Sequence, residues 1–546
     1  MIATGCAVLM PLGIIFYQSF LDAPFFMPAA KLSMSAYRYV LWDGDFHRAF
    51  LTSLAIALGM TGISVPLGSL LAFLLVRTDL PGRGWLQPVV LIPIFVSPVV
   101  LAFGYVVSVG PVGFFSLWFR QLTGTVPWNL YSLPSLVFIA GLTHIPHVYL
   151  YTSSTLRSLS SDLEEAARIS GASSWNVALH VSLPMVWPSI LFSGVLVFFL
   201  GFELFGLPLI LGDPEGLLVL TTYLYKLTNR LGVPSYQLMA VVAVSIVAIS
   251  FPLVYLQRHL LGISNRYVSV RGKGLLQRPL ALGAWRWVGF GTIMLWLVVT
   301  VVLPLSGIFL RSVVSSWGEG VKLRESLTLV HFRDLLEEPS LIRTILNTFG
   351  VGVIGGGLAV ACYTAIGLAL HRWKHFWAKA LDYMVMVPRG MPGLVAGLAF
   401  LWVFLFYKPL VPLRSTMFSI WLAYSVVWLA YGIRLISSAL LQVGPELEEA
   451  ARSAGATPSQ VIYHVTLPLV RFGLIGSWVL IFMIFVREYS TAVYLLGPGT
   501  EVIGSMIVSL WGTGAVDVVS ALSVINILLV AAGLVIALRL GVRLHA

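Results

Sequence analysis

Charge is what this sequence has least of. Only 10% of its 546 residues are Asp, Glu, Lys or Arg, where soluble domains run near a quarter. Cysteine is almost missing. Cys6 and Cys362 stand far apart, each inside an apolar run, and two such residues build neither a disulfide framework nor a metal cluster. No G-x-x-x-x-G-K-S/T run occurs. The nearest glycine–lysine stretch, Arg271 to Gly274, has Gly274 where Ser or Thr is needed and no glycine at the required upstream position, so the chain is expected to hold no ATP site of its own. No cluster of nucleophile, base and metal ligands appears, so neither catalytic residues nor a metal site are expected.

What is present is apolar surface in long runs. Hydrophobic residues make up 58% of the chain and mean hydropathy is +0.93. The runs are about 20 residues long rather than ten alternating ones, which indicates helices across a bilayer and not a barrel. Spans are expected near 2–20, 50–76, 86–109, 134–156, 187–211 and 237–257, then near 286–310, 343–370, 381–407, 416–438, 470–496 and 516–540. The expected fold class is all-α: a polytopic membrane protein of about 12 transmembrane helices in two homologous six-helix halves. No basic residue precedes the first run and no cleavage pattern follows it, so it reads as a retained helix.

The formal net charge of +11 would suggest nucleic acid in a soluble protein. Here an excess of Lys and Arg in cytoplasmic loops explains it. From Arg258 to Arg286 there are six basic residues and no acidic one, whereas 312–342 holds five acidic and three basic. That asymmetry puts the linker 261–284, the polar inserts and both termini in the cytoplasm. The expected division is a first half over 1–260 and a second over 285–546.

One polar stretch occurs twice. Leu163 to Pro184 and Leu447 to Pro468 align without a gap and are identical at 13 of 22 positions. Such self-similarity at one long period marks a duplicated unit. Each insert, 161–184 and 445–468, reads as two short helices around a bend. Ser161 with Glu164 forms a capping box, and Pro445 suits a first helical position. The acidic pairs fall in the first turn, where the helix dipole favours them. Leu163, Ala166, Ala167 and Ser170 share one small-residue face. Gly171 and Gly455 end the first helix in the left-handed conformation. Thr457, Pro458 and Gln460 start the second helix with another capping box.

E-A-A, three residues, G, then a downstream L-P, between the fourth and fifth spans of a six-span unit, resembles the EAA loop of binding-protein-dependent ABC importer permeases. The matching positions are Glu165, Ala166, Ala167, Gly171 and Pro184, then Glu449, Ala450, Ala451, Gly455 and Pro468. Two copies in one chain resemble the fused permeases of the ferric iron uptake group, as do Tyr267 to Gly274 and Leu495 to Glu501. Relatives for polyamines, thiamine, sulfate and aminoethylphosphonate share this architecture. The resemblance implies a bacterial inner-membrane permease fed by a periplasmic or lipoprotein solute-binding protein. It also implies two ATP-binding cassette subunits that grip the inserts. Glu164, Glu165, Ala166, Ala167 and Gly171, with Glu448, Glu449, Ala450, Ala451 and Gly455, are then the ATPase-coupling residues. ATP belongs to the partner, and no cofactor to this chain.

Other readings compete. The insert also resembles a DNA-reading helix-turn-helix, but the flanking spans leave too little chain for a third helix, so no nucleic-acid partner is expected. An ion-driven secondary carrier also fits twelve spans. It needs no capped polar insert and would want more acids inside the membrane. Only Glu203 and Glu488 lie at matched positions within spans, and an intramembrane acid lines a path or bonds a neighbouring helix. Arg389, between Pro388 and Pro392, marks a helix break. His180 and His464 recur in both inserts, at the headgroup level or against a partner. His144 and His147 share a helix face but lack a third ligand.

Overall fold

The computed structural model describes residues 1–158, 162–229, 235–267, 279–318, 321, 324–372 and 376–540. Among them regular structure is helical, with three isolated β-bridges: Leu21–Leu32, Thr78–Leu280 and Val314–Leu327. In hydrocarbon every backbone polar group must be bonded internally, and a helix does this within one segment. Ten helices are long and apolar enough to span a bilayer, and the count reaches 12 if two bent pairs are each one span. Both pairs fall in the second half. Phe376–Gly390 and Gly393–Phe406 meet at 110°, with Pro392 before the second helix, so the break expected at Arg389 is there. Met417–Val427 and Leu429–Leu440 meet at 63° around Trp428. The span expected at 416–438 is therefore broken as well.

The chain packs as two compact units, and each takes its first span from the other half of the sequence. One comprises Met1–Tyr37, Ser235–Val244 and Thr328–Arg543; the other comprises Arg38–Pro234 and Ser245–Leu327.

In the second of these units Gly44–Arg77, Leu133–Ser158 and Leu183–Glu203 pack closely. Glycine permits the approach. A Cβ on Gly201 would lie 2.6 Å from Ala57 Cα, and one on Gly68 would lie 2.6 Å from Val148 Cβ. Without a hydrophobic drive between helices in lipid, such contacts carry the association. Gly201→Leu should therefore cost about 1–3 kcal/mol by overpacking, read as a lower melting temperature and less folded protein in the membrane. The span Trp285–Ser312 joins this unit. It contains a π-turn at Val298–Val302. Tyr105 donates to Val299 O at 3.0 Å and Ser108 to Leu303 O at 2.7 Å, while Trp296 Nε1 donates to Leu142 O at 3.0 Å. Leu75, Ile145, Tyr149, Ile293 and Leu297 lie in the resulting core.

In the other unit Ile2–Ser19 lies against Phe376–Met386 and Gly393–Phe406. Phe25, just past this helix, sets its ring 5.2 Å from that of Phe406. The 34-residue span Pro339–Arg372 carries a π-turn at Val351–Gly355. Two indoles bond carbonyls of this turn: Trp421 donates to Gly355 O at 2.9 Å and Trp478 to Val353 O at 3.0 Å. Asn526, polar and buried in the last span, donates to Val486 O at 3.2 Å.

Candidate functional site

The two inserts fold alike. The first begins with the helix Asp162–Ile169 and the second with Pro445–Ser453. Both end the same way. Gly171 has φ +86° and Gly455 φ +89°, and Ala172 N donates to Ala167 O as Ala456 N does to Ala451 O, each at 3.0 Å. That six-to-one bond across a left-handed glycine is the Schellman stop. The next short helices lead through π-turns at Ala178–Ser182 and Ile462–Thr466 into the spans Leu183–Glu203 and Leu467–Arg487. The expected capping box of Thr457 and Gln460 is formed, with Thr457 N donating to Gln460 Oε1 at 2.8 Å. Ser161, the other expected cap, lies outside the described residues.

The Glu164 side chain turns toward the bundle. Its Oε2 lies 3.6 Å from Arg77 Nη1, and its Oε1 accepts from Ser182 Oγ at 2.7 Å. The Arg77 and Glu164 side chains are 3% and 6% exposed. The second copy repeats this arrangement. Glu448 pairs with Arg372 and accepts from Thr466 Oγ1 at 2.8 Å. The first glutamate of each E-E pair is thus buried on an arginine at the end of its own half's second span. The second glutamate, Glu165 or Glu449, is exposed, as are Ala166, Gly171, Ala450 and Gly455, with Ala167 and Ala451 half-buried. Helical geometry explains the split, because adjacent residues lie about 100° apart and cannot face the same way. Each insert therefore has one face bonded to its own bundle and one face open.

In the sequence Arg77 and Arg372 each end the second apolar run of their half, and nothing local ties them to the inserts. A signal was available. Ser182 and Thr466 are aligned hydroxyls, one residue before each L-P, in a duplicated polar stretch.

Two copies of this arrangement on a membrane bundle raise the question of kinship. The family model for the binding-protein-dependent transport system inner membrane component matches residues 64–261 and again 357–545, well over half the chain. The chain belongs to that family. It is a duplicated, multi-pass importer permease. It is 24% identical over 515 residues to the ferric transport system permease protein FbpB of Actinobacillus pleuropneumoniae, covering 91% of this chain and 70% of that one. It is 27% identical over 207 residues to the putrescine transport system permease protein PotI of Escherichia coli K12, covering 37% of this chain and 73% of that one. Among solved structures, a bacterial ABC transporter that imports the acidic polysaccharide alginate is 19% identical with a TM-score of 0.37, over 47% of this chain and 94% of that one.

The remaining residues singled out in the permease are less uniform. Glu203 is the last residue of its helix and Glu488 follows the last residue of its own, so both stand where a span breaks. Glu488 is held from several sides. Its Oε1 accepts from Ser490 Oγ at 2.7 Å and from Thr491 N and Oγ1 at 3.2 Å, and its Oε2 accepts from Trp428 Nε1 at 3.2 Å. Trp428 is the residue at which Met417–Val427 bends into Leu429–Leu440, so this carboxylate ties two breaks together. His180 and His464 are both exposed, each with Nδ1 3.2 Å from the carbonyl four residues earlier. His144 and His147 stack with ring centroids 5.2 Å apart. Among the described residues no group of three or more His, Cys, Asp or Glu gathers to hold an ion.

Proposed function

We propose that this permease moves ferric iron from an external solute-binding protein into the cytoplasm, driven by two copies of a separate ATPase that grip the inserts. The observation that carries the coupling role is the open face of each insert. Glu165 and Glu449 point away from the bundle on helices with matching stops, each held from behind. Small alanines beside them permit close approach, and a carboxylate suits a basic group on the partner. Near-equivalent faces are what a symmetric ATPase dimer requires. The charge asymmetry of the loops supports a cytoplasmic linker, inserts and termini. In this reading the chain has no catalytic role and binds no cofactor.

The choice of ferric iron is supported by a similarity that runs over 91% of the chain to a fused ferric permease. The putrescine permease matches over 37% of the chain. Glu203 and Glu488 belong along the path in this reading, with Glu488 shaping a break rather than donating to the ion. The test is uptake into proteoliposomes holding the permease, its ATPase and its binding protein. Radioactive ferric ion should accumulate only with ATP inside and should not be displaced by excess putrescine or 2-aminoethylphosphonate. Accumulation of either organic solute instead would overturn the substrate. Uptake with no ATPase subunit present would overturn the transporter class in favour of an ion-driven carrier.

A further inference from the structure

The buried side of each insert leads along a single helix to the opposite end of the same unit. Gly44–Arg77 has 34 residues, a rise of about 50 Å. Its inner end is Arg77, bonded to the insert through Glu164 and Ser182. Near its other end Ser53 Oγ accepts from Leu220 N at 2.9 Å, the first residue of the helix Leu220–Asn229. Pro339–Arg372 also has 34 residues and ends at Arg372, bonded to Glu448. Near its far end Thr348 Oγ1 accepts from Ile503 N at 2.8 Å, the first residue of Ile503–Gly512. Asn347 adds bonds to Gly499 O and Glu501 O at 3.0 Å. In both rods hydroxyl and arginine are 24 residues apart.

Duplicated polar bonds at both ends of one helix are not what lipid packing alone produces. The middle of each helix is apolar and its ends are tied to segments remote in sequence. At the inner end an ion pair and a hydroxyl hold the carboxylate, so the insert and the helix end move together. At the outer end a side-chain hydroxyl from another helix satisfies one of the orphan N–H groups that start every helix. An α-helix of this length carries displacement along its axis because each turn is hydrogen-bonded to the next. The first rod runs on through Pro66, and the indoles of Trp421 and Trp478 brace the π-turn of the second.

We infer that Gly44–Arg77 and Pro339–Arg372 are push rods that carry the movement of each insert to the short outer helix of its own unit, with Arg77, Arg372, Ser53 and Thr348 as positioning residues. The inference rests on the coupling reading above and adds the internal route. An insert that is driven inward draws its arginine, the rod and the start of Leu220–Asn229 or Ile503–Gly512. These short helices therefore respond to ATP without touching the ATPase.

The test uses the full transporter in nanodiscs, with Cys6→Ser and Cys362→Ser, and Leu51→Cys as a probe. Leu51 lines a cavity of about 260 Å3 with Arg48, Thr52 and Gly216 at the rod's outer end. A membrane-impermeant maleimide reports its accessibility before and after trapping with ATP and vanadate. The parent should change its labelling rate about threefold or more as the population shifts. Breaking the inner ties with Arg77→Met/Glu164→Gln and Arg372→Met/Glu448→Gln should abolish that response. Ser53→Ala with Thr348→Val should abolish it too, although these residues lie far from the inserts. A full response in the outer pair overturns the inference, and that pair alone decides if the inner quartet fails to reach the membrane. Glu165→Lys/Glu449→Lys separates the two readings. If it too leaves the response intact, coupling through the inserts fails. If it abolishes the response while the rod variants keep it, only the rods fail.

Discussion

Reversing the two exposed insert charges, Glu165→Lys with Glu449→Lys, should reduce ATP-driven uptake by at least about 100-fold while leaving the protein in the membrane. The expectation follows from where these carboxylates point. Among the described residues neither takes part in the ties that hold its insert, which use Glu164, Glu448 and their partners. The fold should therefore tolerate the change. At a partner surface the effect is large. Losing one side of a buried hydrogen-bonded charge pair costs about 2–5 kcal/mol, and each 1.4 kcal/mol is about tenfold in affinity. A lysine adds repulsion against the same basic group. The measurement is uptake beside co-purification of the ATPase, with expression as control. Single reversals should leave partial activity, because the other insert still engages. Wild-type uptake in the double variant would end the coupling assignment.

The second large effect is expected at Arg77. Its guanidinium and the Glu164 carboxylate are both nearly inaccessible, so Arg77→Met strands a buried charge at a cost of about 3–5 kcal/mol. Arg372→Met should cost less. The Glu448 carboxylate it strands is 3% exposed, but the Arg372 side chain is 33% exposed, so its loss opens a way for water to reach that charge and lowers the desolvation cost. Thermal unfolding of the purified permease in detergent would rank the two. Arg77→Met should lower the melting temperature by several degrees more than Arg372→Met, and adding Glu164→Gln should recover most of the loss. Recovery is the telling result, since replacing both members of a buried pair removes the unpaired charge. No loss at Arg77, or no recovery, would contradict a buried pair in the first half.

The legible part of this protein was the part written in local pattern. Apolar runs of span length need only composition to be recognised, and the second half announces itself by thirteen identities in twenty-two positions. Gly171 and Gly455 ended their helices as expected because a left-handed stop is a property of a few neighbouring residues. Thr457 and Gln460 capped as expected for the same reason. Where the reading fell short, the deciding interaction was remote. Within a local window Glu164 reads only as a capping residue, whereas its buried carboxylate also meets a guanidinium 87 residues away. The bend at Trp428 interrupts a span whose hydropathy is continuous. At Trp428 the indole donates to Glu488, sixty residues on.

The sequence by itself determined that this chain is a duplicated helical membrane protein with two matched polar inserts, because bilayer thickness and internal repetition both leave their mark along the chain. Tertiary structure alone decided which glutamate of each pair turns inward, which span receives it, and that each unit takes its first helix from the other half. Those choices depend on which buried groups find partners once distant segments meet, and no window of sequence contains both members of such a pair.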